Sequence, residues 1–292
     1  MAIQFEAAKG AVEQVLSTRS PIVMRVLLPG TLATVMFYPT VYWILGRLLA
    51  SGEQSWLRLL VLAAVVVAAG EFISVLSDEV YKIYEGRIFW PRSLLKWGLS
   101  VQNRRLRRLL AQANRARAEN DLHRYDETWY QLRLYSLDDN SEPQVERPTL
   151  LGNILAGYEQ YPKDRYGMDP VFYWPRIWLE VETEKKEQID NRWCVADGLL
   201  LLSAVGMAGG VLWLLEAAAG LFIRFTIPLR SPLWAALVSP GWWIAGYAFY
   251  RLSLPHHRAN GELFKSIFDL YRAKVWELTT LRLHEKEAWD AA

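Results

Sequence analysis

Apolar residues crowd into two blocks of this chain, 21–77 and 193–252, while Lys, Arg, Asp and Glu collect outside them. A soluble core spreads its apolar residues at helical or strand period. Uninterrupted runs of about 20 are what a bilayer requires. The first block divides into "PGTLATVMFYPTVYWILGRLLA" (29–50) and "WLRLLVLAAVVVAAGEFISVL" (56–76), and the short join between them predicts a helical hairpin. The second gives "WCVADGLLLLSAVGMAGGVLWLLEAAAGLF" (193–222) and "PLWAALVSPGWWIAGYAFYRL" (232–252). Pro29 stands near the start of the first span. Pro39 and Pro240 fall inside spans, where a missing N–H predicts a kink. At Ser239-Pro240-Gly241 the alternative is a short interfacial piece before the span proper.

These runs predict an all-α integral membrane protein with four transmembrane helices in two hairpins, plus cytoplasmic helices. Its expected divisions are an amphipathic helix at 1–20, a hairpin at 21–77, a helical segment at 78–192, a hairpin at 193–252 and a terminal helix at 253–292. Mixed charge ahead of the first span argues against a secretory signal. Lys and Arg near the span ends set orientation. Lys9, Arg19, Arg25, Lys82, Arg87, Arg92, Lys185, Lys186, Arg192, Arg251, Arg258 and Lys265 lie on the side of the termini and middle, against Arg47, Arg58, Arg224 and Arg230 opposite. That bias places both termini and residues 78–192 in the cytoplasm.

A formal net charge of +2 is too small to imply a polyanionic partner. Cys194, the lone cysteine, precludes an intramolecular disulfide. In the middle segment, "SLLKWGLSVQNRRLRRLLAQANRARAENDLHRYDETWYQLRLYSL" reads as a long helix broken between Asn120 and Tyr125, followed by the polar loop "DDNSEPQVERP". Thr149 is the expected N-cap of "LLGNILAGYEQY", and Asp169-Pro170 the cap and first residue of "PVFYWPRIWLEV". Beyond the fourth span, "ANGELFKSIFDLYRAKVWELTTLRLHEKEAW" places Leu263, Ile267, Leu270, Tyr271, Val275 and Leu278 along one face and predicts a second cytoplasmic helix. No convincing β-rich stretch stands out.

The segment "PTLLGNIL…YPKDRYGMD…WPRIW" (148–178), with "GELFKSIFDLYR" (261–272), resembles an uncharacterised family of bacterial four-span inner-membrane proteins. The resemblance covers about a third of the middle segment and part of the tail. It implies four spans and a cytoplasmic middle at the bacterial inner (plasma) membrane, and brings no activity or catalytic residues. The topology is similar in outline to bestrophin-type channels, without their pore-lining sequence.

Several groups are candidates for function. Glu71, Asp197 and Arg251 are expected at one depth near the inner leaflet, where an unpaired charge is costly. A structural ion pair, with Arg25 or Arg192 as substitutes, competes there with an ion or proton path. Gly206-xxx-Gly210 offers a surface for close helix approach, within the subunit or between subunits. Arg104, Arg105, Arg107 and Arg108 form a basic patch, read as a solvated face or as a site for anionic lipid headgroups, with nucleic acid disfavoured. Trp90 and Arg92 in "FWPRSLL", and Trp174 and Arg176 in "YWPRIWL", are expected interface anchors, each proline setting a helix start. His256-His257 does not compose a metal site. No nucleophile, zinc or phosphate-loop motif is present, so neither enzyme activity nor a cofactor is expected. Two function classes stay open. One is an oligomeric pore or membrane-perturbing effector controlled through its cytoplasmic helices; the other is a membrane-anchored scaffold that recruits a cytoplasmic protein.

Overall fold

The computed structural model describes residues 21–36, 55–137, 142–222 and 232–290. The expected helix at 1–20, Pro39 with the rest of the first span, and both hairpin loops lie outside them. The chain is mostly helical: a π-helical stretch Val23–Leu27, then α1 (Leu28–Met36), α2 (Ser55–Val75), α3 (Ser77–Glu85), α4 (Arg92–Ala118), α5 (Leu122–Leu132), α6 (Leu150–Glu159), α7 (Tyr161–Tyr166), α8 (Pro170–Glu180), α9 (Thr183–Phe222) and α10 (Pro232–Asp290). Between α5 and α6, β1 (Ser136–Leu137) and β2 (Pro143–Gln144) pair antiparallel, Ser136 opposite Gln144 and Leu137 opposite Pro143. That ribbon corrects the reading of 138–148 as plain loop; strands of two residues carry no periodicity to find.

Two compact units emerge, one from Met1–Val80 with Asp190–His256, the other from Tyr81–Ile189 with His257–Ala292. In the first, glycines bring helices together. A Cβ on Gly30 would lie 2.1 Å from Val66 O, and one on Gly70 would lie 2.1 Å from Val26 O, so α1 and the π stretch run against α2 at backbone contact. Gly206 and Gly246 do the same for α9 and α10. Met36, Trp213, Ala217 and Ala235 form a buried cluster flanked by Val238 and Trp242. Ser239 Oγ donates to Gly210 O at 2.7 Å, a buried bond between α9 and α10. The outward side of this unit is also apolar: Leu59, Phe72, Val75, Leu237 and Ile244 are each well over half exposed.

Among the described residues, Thr183–Ala218 is long and apolar enough to cross a membrane. Leu59–Val75 with Ser77–Glu85, bent by 51° at their break, passes the same test as a pair. The stretch 232–252 does not, diluted as it is by Ser, Pro, Gly and aromatic residues.

Three boundaries move. Pro29 is the second residue of α1, yet the chain is already helical at Pro21, and the π stretch ends just before Leu28. Widening the turn there moves the carbonyl that the proline ring would strike and for which it has no N–H. α9 begins ten residues ahead of the predicted 193, and α10 runs through 253 without a break despite Pro240 and Pro255. The predicted edges marked changes of polarity, which do not interrupt backbone hydrogen bonding.

In the second unit, α4 and α5 form a helical hairpin whose turn contains Asn120 at φ 57°, where the break was expected. α4 buries Gln102, Leu106, Leu109, Ala113 and Ala116. Leu151, Ile177 and Phe268 are the fully buried anchors contributed by α6, α8 and α10.

Candidate functional site

The segments that carried the family resemblance assemble a joint. Pro148 fills a notch between Gly86 and Gly98. A Cβ on Gly86, at φ 82°, would lie 2.1 Å from Pro148 Cγ, and one on Gly98 would lie 2.7 Å from Pro148 Cβ. Thr149 caps α6 by accepting from Gly152 N at 2.9 Å, and its hydroxyl donates to Tyr84 O at the end of α3. Gly152 leaves room for Glu85 O, 2.8 Å from where a Cβ would be. Asn153, 1% exposed, closes the joint. Its Oδ1 accepts from Glu146 N and Arg147 N, both at 3.0 Å, and its Nδ2 donates to Arg147 O at 2.8 Å and Thr149 O at 2.7 Å. This uses two donors and two acceptor positions, the full capacity of an asparagine amide.

Beside that joint lies a group of charges. Arg87 pairs with Glu85 and reaches Glu159 at 3.5 Å. Burial, and after it the neighbouring Glu85 carboxylate, pushes the Glu159 acid above its ordinary range, opposed by Arg87 and Arg147.

"YPKDRYGMD" builds the wall of a cleft. α7 ends on Gly167 in the left-handed conformation, φ 66°, and Met168 N–H returns to Pro162 O at 3.2 Å. Asp169 then caps α8 by accepting from Val171 N. The turn holds Tyr161 and Tyr166 so that both hydroxyls donate to the Asp269 carboxylate of α10, at 3.0 Å and 2.6 Å. Burial, then the bonds to Tyr166 and Asp269, raises the Tyr161 phenol far above its ordinary range. One turn beyond Asp269, the Arg272 guanidinium lies 3.8 Å from the centre of the Tyr166 ring. Tyr166, Met168, Arg272, Ala273 and Trp276 line a cavity of about 340 Å³.

The predicted sites are distributed differently. Asp197 pairs with Arg25, one of the anticipated substitutes for Arg251. The π turn carries Arg25, and Gly198 lets that turn's Met24 carbonyl approach to 2.6 Å of a would-be Cβ, so the guanidinium arrives beside Asp197. Arg251 instead donates to Tyr247 Oη at 3.4 Å, and Glu71 is exposed on α2.

Gly206 and Gly210 both face α10 of their own unit. A Cβ at Gly206 would stand 2.8 Å from Gly246 Cα, and one at Gly210 would stand 1.9 Å from Trp243 Cδ1.

The two Trp-Pro-Arg copies differ in role. Pro91 precedes α4 and so begins a helix, but Pro175 lies inside α8, whose start belongs to Asp169-Pro170. Trp90 donates to Ile83 O at 2.8 Å. Trp174 packs on Phe264, ring centres 4.4 Å apart, inside the unit. Arg92 is exposed, and Arg176 lies over the Phe172 ring at 3.6 Å. Arg104, Arg107 and Arg108 point outward from α4, with Arg105 half-buried.

No three His, Cys, Asp or Glu residues converge as metal ligands among the described residues. His257 is buried edge-on to Tyr81, 5.6 Å between rings. Sequence reasoning missed Asp269, Arg272 and Trp276 as partners of "YPKDRYGMD", although it quoted both segments. The signal was there in the two tyrosines and the acid, but nothing in the strings brings them to one place. No family model, curated protein or solved structure matches the chain.

Proposed function

We propose that the protein is a membrane-anchored scaffold: the first unit sits in the bilayer with four spans, and the second is a water-side helical unit that recruits a partner. The observation that carries this reading is the outward side of the first unit, where Leu59, Phe72, Val75, Leu237 and Ile244 stand exposed around helices joined through glycine. A bundle held by small residues with apolar side chains outside is the arrangement lipid favours, since apolar side chains need no burial there. The resemblance to four-span inner-membrane proteins, and the Lys/Arg bias that puts the second unit in the cytoplasm, agree with it. The exposed arginines of α4 carry charge that suits anionic headgroups or an acidic partner.

The pore reading used Gly206 and Gly210 as a surface for a neighbouring helix, within the subunit or between subunits. α10 of the same chain already occupies both. A homo-oligomer would have to use another face, and this tips the choice toward the scaffold.

Reconstitution into dye-loaded liposomes tests both. The full-length protein is expected to resist alkaline carbonate extraction and to retain the dye. Extraction into the carbonate supernatant would overturn the membrane anchor. Release of dye by the protein would restore the pore.

A further inference from the structure

We propose that the cleft between the Gly167 turn and α10 binds a small organic carboxylate bearing a flat apolar body. Its volume, about 340 Å³, lies at the lower end of cavities that hold small molecules. The proposal does not depend on the membrane reading, because every residue involved lies in the second unit.

Three features converge. Arg272 lines the cleft with one face of its guanidinium covered by Tyr166, and its Nε is buried with no hydrogen-bond acceptor. An N–H so placed has surrendered water without gaining an acceptor, which is the condition an incoming anion relieves. Next, the acid one turn earlier on α10 is engaged elsewhere. Asp269, three residues earlier on α10, takes the hydroxyls of Tyr161 and Tyr166. Finally, Trp276 stands four residues beyond Arg272, hence on the same side of the helix. It is 53% exposed and stacked on Tyr173, ring centres 6.5 Å apart. Its indole and the buried Met168 give the cleft apolar walls beside the arginine.

The lining fixes the ligand's chemistry. Among the described residues that line the cleft, Arg272 is the one that carries charge, so it offers a single positive charge to a ligand. A planar guanidinium fork matches a carboxylate, whereas a phosphate dianion calls for a second cation. An aromatic or otherwise flat group attached to that carboxylate would lie along Trp276.

Calorimetric titration of the full-length protein in detergent micelles tests this, with naphthalene-2-carboxylate as probe. Naphthalene-2-carboxamide and inorganic phosphate serve as controls, and micelles alone as blank. One saturable site is expected for the carboxylate, with both controls weaker by about tenfold or more, the loss that follows when a charged hydrogen bond is withdrawn. Arg272→Gln and Trp276→Ala should each weaken the carboxylate by a similar factor. Trp276 is exposed, so its replacement keeps the test alive should Arg272→Gln fail to fold. Equal binding of acid and amide, preference for phosphate, absence of a saturable site, or a folded variant that binds like the parent would each overturn the proposal.

Discussion

Replacing Asn153 by Ala should unfasten the joint between α6 and the chain that leads into it. Four hydrogen bonds vanish, to Glu146 N, Arg147 N, Arg147 O and Thr149 O. At about 1 kcal/mol net for each, the loss would reach about 4 kcal/mol. Two observations lower that figure. Thr149 O keeps its bond from Asn153 N at 3.2 Å, and residues 146 and 147 are half-buried, so water can reach part of what is exposed. An expected cost of about 2–4 kcal/mol corresponds to a fall of roughly 5–15 °C in Tm for a cooperative unit of this size. Asn153→Asp should be no milder, since it keeps the two acceptor positions but turns a carboxylate toward two carbonyls. Asn103→Ala is the control: that exposed side chain bonds Leu99 O within its own helix, and its loss should stay within about 0.5 kcal/mol. Differential scanning fluorimetry of the full-length protein in detergent, with amide hydrogen exchange over residues 146–149, reads both effects. A shift below about 2 °C for Asn153→Ala, with exchange at 146–149 unchanged, would refute the reasoning.

Two further expectations concern charge. Asp197→Asn and Arg25→Gln should be non-additive in a double-mutant cycle, by about 0.5–1.5 kcal/mol because Arg25 is 37% exposed and screened, whereas Asp197→Asn and Arg251→Gln should add; coupling to Arg251 alone would reverse the assignment. The raised phenol of Tyr161 favours the protonated form in the folded protein, so its contribution is whole below about pH 10 and drains away as pH climbs toward the elevated folded value. Tyr161→Phe should flatten the fall in Tm between about pH 9 and pH 11, and parallel curves for parent and variant would contradict it.

Where a residue's chemistry is local, the strings alone sufficed. Thr149, Asp169-Pro170 and the break at Asn120 were readable because caps and turns are settled by neighbours a few positions away. Extent was less readable. Composition marked 193 and 253 as edges because polarity changes there, yet α9 and α10 continue across both; a helix needs its i to i−4 bonds, not a uniform solvent. The candidate cleft was hidden for another reason. Tyr166 and Arg272 are over a hundred residues apart, and no periodicity relates them. Arg25 was one of several arginines within reach of Asp197, and only the π turn ahead of Pro29 with the gap at Gly198 selects it.

The notch that receives Pro148 has a consequence for biosynthesis. Gly86 and Gly98 leave the ribosome first, and the proline that fits between them follows fifty residues after Gly98. At about 5–20 residues per second, roughly 3–10 s separate the two. The α4–α5 hairpin is complete by then, ahead of the proline that fills the notch beside it. A nascent chain stalled in that window would hold the groove between Gly86 and Gly98 open until Pro148 arrives.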